Sequence, residues 1–388
     1  MIAFQKLLVK QTRTAAVIAI AAFCGYSQMA LAKTTIKIDD NYAISYLRGQ
    51  FETTPYKGEL FDVEILEDGA LIGTADRLFV KSEDAFNGTE FILQQFEVDN
   101  LTMMKDDVSA SVQSVQAHNF ALRWVGNNVT PTIVNPSDWQ NATFEMKNIK
   151  VGDEDAGFIL TVPHFEITPL KLDYLSNGEV FFSALGFEMP SMQYAPVGDS
   201  AKAAKFKTWL EEIGLQNLEF SLQAQQHSTI EGEDVVTNSM MQTRIAGFFD
   251  LAMRFALHTS EEAFLRLSDG GKWGDEAEAF RSYRVAESKL GGFNIHLRDL
   301  GARALIEQSG EFPPYPVMAE KLESTITSYM PETGPPFAGA IEKFLVEGGA
   351  LELSAMPAKP FKIENLALAL FMADLLVREI NLKAIHKP

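Results

Sequence analysis

Between Met241 and Leu257 the chain alternates with a period of two. Met241, Thr243, Ile245, Gly247, Phe249, Leu251, Met253, Phe255 and Leu257 form one set; Gln242, Arg244, Asp250, Arg254 and His258 fall in the other. Only an extended backbone puts alternate residues on opposite faces, so the segment reads as β-strand with one apolar face. Taken as one strand of about 17 residues at roughly 3.3 Å each, it is far longer than usual and implies a large curved sheet, with a kink at Gly247.

The same period dominates from about Ile36 to His258. Phe61, Val63 and Ile65 alternate with Asp62 and Glu64, and Glu67-Asp68-Gly69 supplies a turn. A local echo, Phe-Glu-apolar-x-x-apolar, begins at Phe96, Phe144, Phe165 and Phe187. It has two readings: a duplicated hairpin, or simply the look of strands with core-facing Phe beside outward Glu. After about residue 259 the apolar spacing becomes three and four. Helices are expected over 261–267, 300–308, 317–330, 337–346 and 364–377, with strands over 350–355 and 380–385. The class implied is α+β: a large curved antiparallel sheet over residues 35–258, followed by a helix-rich part, 259–388, packing on it, either as a second region or as one continuous domain.

The amino end reads as an export signal. Lys6, Lys10 and Arg13 precede an apolar run from Ala15 to Cys24, too short to span a bilayer, and Ala30-Leu31-Ala32 is a small-x-small cleavage pattern. Cleavage between Ala32 and Lys33 is expected, which places the protein in the periplasm; an uncleaved anchor and full secretion are the alternatives. The net charge is −19, and losing those three cations makes the exported form more acidic still. Such a balance argues against gripping a phosphate backbone, so nucleic acid is not an expected partner. Cys24 is the only cysteine and lies in the segment removed, leaving a mature chain without a thiol. With 46% apolar residues in 388, the chain can build a core without disulfide staples.

Catalytic templates are missing. No Gly-x-Ser-x-Gly elbow, His-Glu-x-x-His helix, phosphate loop or EF-hand spacing occurs, and no metal or cofactor is expected. His118, His164, His227, His258, His296 and His386 show no ligand spacing, and Asp106-Asp107, 153–155 and 231–234 read as solvated hairpin tips. What remains is the apolar strand face. Phe187, Met189, Met192, Phe249, Leu251, Met253 and Phe255 are either core or the wall of a groove for an elongated apolar ligand, to which Met and Phe adapt well.

The stretches Gly292-Phe293-Asn294-Ile295-His296-Leu297-Arg298-Asp299-Leu300-Gly301 and Phe344-Leu345 through Gly348-Gly349-Ala350-Leu351 to Pro360-Phe361 resemble the C-terminal pattern of exported proteobacterial proteins of unknown function. The resemblance implies an envelope location and carries no activity. Three functions therefore stand as expectations: binding of lipid or another hydrophobic envelope component, contact with an envelope protein or peripherally with the membrane, and an unrecognised hydrolase using a Ser with one of the six His.

Overall fold

The computed structural model describes residues 33–37, 41–53, 56–82, 90–105, 108–125, 128–131, 139, 142–153, 156–178, 180–261, 264, 288–309, 313–365 and 372–388. The export signal, Asp106-Asp107, most of the 261–267 helix and part of the 364–377 helix lie outside these residues. Strands make up 60% of what is described and helices 21%, so the protein is mainly β and mostly antiparallel, and the expected helix-rich C-terminal part is only partly present, its helices alternating with strands. The chain forms two compact units, residues 1–172 with 187–217, and residues 173–186 with 218–388. No helix among the described residues is long and apolar enough to cross a membrane.

The first unit begins with β1 (Thr34–Lys37), β2 (Tyr42–Tyr46), β3 (Arg48–Thr53), β4 (Tyr56–Glu67), β5 (Ala70–Ser82), β6 (Glu90–Lys105), β7 (Val108–His118), β8 (Leu122–Val125) and β9 (Asn128–Pro131). It continues with β10 (Thr143–Asp153) and β11 (Phe158–Ile167); β12 (Leu170–Tyr174) and β13 (Val180–Pro196) each have residues in both units. The long strands pair antiparallel in the order β4, β5, β6, β7, β10, β11, β13. Their core rows are explicit in the register: Leu60 faces Leu78, Leu78 faces Val98, Val98 faces Val115, Val115 faces Met146 and Met146 faces Phe165. Leu60 and Leu78 are at most 1% exposed, and burying each such side chain contributes about 1.5–3 kcal/mol.

The alternation is not uniform along these strands. In four strands the buried residues are spaced by three and then by two: Leu60, Val63, Ile65 in β4; Ala75, Leu78, Val80 in β5; Val112, Val115, Ala117 in β7; Met146, Ile149, Val151 in β10. The expected face of Phe61, Val63 and Ile65 is thus corrected, because Leu60 takes the core position and Phe61 turns outward. The backbone absorbs the extra residue by entering the left-handed region at Asp62 (φ 54°), Asn100 (φ 50°) and Asn148 (φ 50°), the residue types that tolerate it best after glycine. The slips fall at one level of the sheet: Phe61 pairs with Arg77, Arg77 with Asp99, Asp99 with Ser114, Ser114 with Lys147 and Lys147 with His164. Side chains tie across the line as well. Asn100 Nδ2 donates to Asp76 Oδ2 at 2.7 Å, Arg48 Nη2 to Asp62 Oδ2 at 3.2 Å, and Asn148 Nδ2 to Gln113 Oε1.

This slip explains two of the four Phe-Glu echoes. In the strands carrying Phe96 and Phe144, the x-x pair of the pattern is the extra step between core positions, whereas on β13 the buried residues around it are Ala184, Gly186 and Met189, so Phe187-Glu188 itself fills the wider step. Phe165 lies on β11, whose double step falls before it, between Val162 and Phe165, so its echo is only local. The β-rich stretch also hides a helix, α1 (Ala201–Glu212), begun by Ser200, whose side chain accepts from the Ala203 backbone N–H at 3.1 Å. Ala203 and Leu210 bury its inner face, and Phe206 packs between Tyr194 and Trp209.

The second unit contains β14 (Leu218–Glu231), β15 (Asp234–Ile245), β16 (Phe249–Ser260), β17 (Lys289–Asp299), α2 (Ala302–Ser309), α3 (Tyr315–Tyr329), α4 (Gly334–Glu347), β18 (Ala350–Ala355), β19 (Phe361–Lys362), α5 (Ala373–Glu379) and β20 (Leu382–Lys387). The seventeen-residue strand expected over 241–257 is a hairpin. The chain reverses at Ala246-Gly247-Phe248, with Gly247 at φ 76° and the Phe248 N–H donating to the Ile245 carbonyl at 3.0 Å. Because Ile245 pairs with Phe249, Thr243 with Leu251 and Met241 with Met253, odd-numbered residues stay on one face through the turn. The parity was a true signal; the continuity was not.

Candidate functional site

In the second unit, cross-strand partners build one apolar face. One row runs Leu222, Thr243, Leu251, Leu297, Leu351; the next runs Ala224, Met241, Met253, Ile295, Leu353. The opposite face is polar, with Gln242, His296 and Glu352 in one row and Arg244, Asp250 and Arg298 in another. Coverage of the apolar face is uneven. Toward β18 it is closed, with Leu351 7% and Ala355 0% exposed, and Ala355 packs with Phe361 and with Ile380 and Leu376 of the C-terminal helix region. In the middle of β14 to β17, Leu222, Met241, Leu251, Met253, Ile295 and Leu297 are only half-buried and Phe255 is 38% exposed, while Val235 at the start of β15 is fully buried against Leu175, Phe181 and Phe264.

Of the seven expected ligand residues, Phe187, Met189 and Met192 lie on β13 within the first unit, where Met189 is buried as core. Phe249, Leu251, Met253 and Phe255 lie on β16 in the second, and these four share the apolar face. Lys33 is exposed, its Nζ 2.6 Å from Glu64; Ala32 lies outside the described residues.

At the Phe249 end the face opens into a pocket of about 190 Å³. It is lined by Phe249 and Leu297 of the sheet, Ala302 and Ile306 of α2 and Phe344 and Leu345 of α4, and Asp299, Arg303 and Tyr315 complete a lining whose exposed surface is almost wholly apolar. Local chemistry places each of them. Asp299 ends β17 and caps α2, its Oδ1 accepting the backbone N–H groups of Gly301 (3.1 Å) and Arg303 (3.2 Å). Gly301 has to be glycine, because a Cβ there would stand 2.6 Å from the Gly247 carbonyl oxygen. Arg303 is held by donating Nη1 to the Val346 carbonyl, which crosses the end of α4. Pro314 and Pro316 bracket the start of α3 and set Tyr315 inward, 6% exposed.

Burial, and secondarily the charges of Asp299 and Glu307, push the Tyr315 phenol up, against the opposing effect of Arg303. It is a hydrogen-bond donor throughout the physiological range. Sequence reading missed Asp299, Arg303 and Tyr315, though the Asp-x-Gly step before a helix and the proline bracket around Tyr315 were visible signals.

The polar face is held differently. Glu352 accepts from Lys387 Nζ at 2.6 Å and from Asn294 Nδ2 at 2.8 Å, and these bonds hold its carboxyl below the usual range against a smaller burial effect. Asp374 is lowered likewise, first by the Thr333 hydroxyl (2.6 Å), then by the Thr333 and Glu332 N–H groups ahead of α4. Groups with depressed native pKa values stabilise the fold above the ordinary carboxylate range, and the contribution is lost as pH falls through it. The expected result is a melting temperature that drops from about pH 5 toward pH 3, with Glu352→Gln shallowing that slope. An unchanged slope in the variant would remove Glu352 from the account.

The histidines form no catalytic constellation in what is described. His164 lies 3.3 Å from Glu145 and 3.4 Å from Glu166, and His386 meets the Gly348 carbonyl at 2.8 Å. No group of three or more His, Asp or Glu among the described residues is arranged to hold a metal ion. A scan against protein-family models finds no match for the chain, and a search of curated proteins finds none either.

Proposed function

We propose that the protein is exported to the periplasm and binds lipid or another hydrophobic envelope component on the apolar face of its second unit, without a cofactor. The observation that carries this reading is the pair of half-buried rows holding Leu222, Leu251 and Leu297 and Met241, Met253 and Ile295, with Leu297 also lining the pocket at Phe249. An apolar surface spread over four strands is costly to leave wet, and Met-rich faces adapt to chains of varied shape. The C-terminal helices serve in this reading as the cover for one end of the sheet, leaving the remainder for a ligand. The export signal with its cleavage after Ala32 supplies the compartment in which such ligands occur, and the acidic net charge keeps the protein soluble there.

The test is to release the protein from the periplasm by osmotic shock, wash it free of membrane, and extract what it carries. A near-stoichiometric apolar small molecule is the expected result. Recovery of the protein in the cytoplasm, or of a protein that never acquires an apolar molecule in the presence of envelope lipid, would count against the reading. Docking of an envelope protein on the same face is the second reading, favoured by the 38% exposure of Phe255, and crosslinking in intact cells separates the two.

A further inference from the structure

We infer that helix α1 is a membrane-docking surface of the first unit, seating Phe206 and Trp209 among the headgroups of a bilayer that contains anionic lipid. This goes beyond the apolar-ligand function and does not depend on it. At about 100° per residue, Lys205, Trp209, Lys202 and Phe206 follow one another around one flank of the helix, beside the strip that Ala203 and Leu210 bury. The rings on this flank are backed by the sheet. Phe158 of β11 stands 4.8 Å from Tyr194 of β13, Tyr194 stands 5.1 Å from Phe206, and Phe206 is stacked on Trp209 at 5.9 Å with ring planes 18° apart. The first three rings are half-buried and the last, Trp209, is 40% exposed, so the row runs from the sheet out to solvent. An indole at the end of such a row is the side chain that membrane interfaces select, apolar on its faces and a donor at its edge.

The charges name the partner. Lys202, Lys205 and Lys207 are exposed and no acid lies between Asp199 and Glu211, in a chain of net charge −19; every other described helix has one cation and at least one acid. This placement works against the helix itself. The first turn has no acid and the last no base, so Lys202 and Lys205 stand toward the positive end of the helix dipole and Glu211 and Glu212 at its negative end. Lysines that do not serve the helix, set beside an exposed indole, suit a partner that is anionic and apolar within one side-chain length. A lipid surface is both, with phosphates directly above acyl chains, whereas an acidic peptide answers only the lysines. At physiological salt, fields fade within about 8 Å, so the bilayer meets this local charge and not the sum over the chain. At 1.5 Å per residue the helix is about 18 Å long, too short to cross a bilayer, and it lies in the interface plane.

Cosedimentation of the full chain with vesicles tests it, using phosphatidylcholine alone and phosphatidylcholine mixed with an equal part of phosphatidylglycerol. The chain should prefer the anionic vesicles, and Lys202→Gln with Lys205→Gln should weaken that binding about 25-fold, at about fivefold per lysine. A control pair in the second unit, Lys321→Gln with Lys343→Gln, removes the same charge and should leave binding as it was. The melting temperature of the Lys202 and Lys205 variant should hold or rise, since both lysines oppose the dipole, and this separates a lost surface from a lost fold. Vesicles with brominated acyl chains should quench tryptophan fluorescence in the parent protein, and Trp209→Phe should bind them without that quenching. Equal losses in the two lysine pairs, no loss in the first, or quenching that survives in Trp209→Phe would overturn the assignment. Failure of the parent protein to bind the anionic vesicles would overturn it as well.

Discussion

Replacing Arg77 by methionine should lower the stability of the first unit by about 2–3 kcal/mol, read as a shift in the urea midpoint with unchanged slope. Arg77 lies at the level of the phase slip and meets three carboxylates: Nε bonds Glu59, and Nη1 bonds Glu97 at 2.9 Å and Asp99 at 3.2 Å. Burial opposes its charge, but the three hydrogen bonds outweigh that, and the guanidinium pKa goes up. Its guanidinium carbon also lies over the Phe79 ring, 5.4 Å from the centroid. An exposed pair would be worth far less, but here Arg77, Glu59 and Glu97 are all less than one-third exposed. Methionine preserves the stem and leaves three acids facing one another without a cation. Adding Glu97→Gln to Arg77→Met should return part of the loss, as coupled sites do. A loss below about 0.5 kcal/mol would mean the cluster is a solvated surface contact and no more.

At Asn100, valine should cost about 2–3 kcal/mol and glycine about 1 kcal/mol or less. The backbone there is at φ 50°, which glycine adopts freely and a β-branched residue resists. Both substitutions lose the bond to Asp76, so the difference between them isolates the backbone term. Equal losses in thermal melts of the two variants would show that the left-handed residue is not what holds the slip in place.

These two positions also show what could be read in advance. The Phe-Glu-apolar-x-x-apolar echo already contained the slip, since apolar residues two and then three apart cannot lie on one face of a regular strand. It was legible as a pattern and not as geometry, because nothing local distinguishes a backbone step at Asn100 from an ordinary polar pair. The hairpin at Gly247 was hidden for a related reason. Ile245 and Phe249 pair across the turn, so the alternation runs through it unbroken, and only the identity of Gly247 hinted at reversal. Helix α1 carried clear local signals, Ser200 followed by an Ala- and Lys-rich run, that the surrounding strand pattern outweighed.

The candidate site was half legible. Phe249, Leu251, Met253 and Phe255 share a face as the period of two demands. Phe187 and Met189 obey the same period on β13 and Met192 falls one residue out of it, and all three belong to the other unit, a separation that strand periodicity cannot report. Asp299, Arg303 and Tyr315 come together only because α2, α3 and α4 follow one another over the end of β17, a tertiary fact. The two stretches that carry the family resemblance supply Leu297 and Asp299 from one and Phe344 and Leu345 from the other, so they meet at this pocket.

The most direct test of the apolar-ligand account is the native mass spectrum of protein isolated gently from cells, beside that of Met253→Asp, which puts a charge at the middle of the half-buried face. The account predicts a discrete adduct of lipid mass on the parent protein, present in near-stoichiometric amount and lost in the variant, with both proteins folded. A clean mass for the parent, or an adduct equally occupied in Met253→Asp, would contradict it.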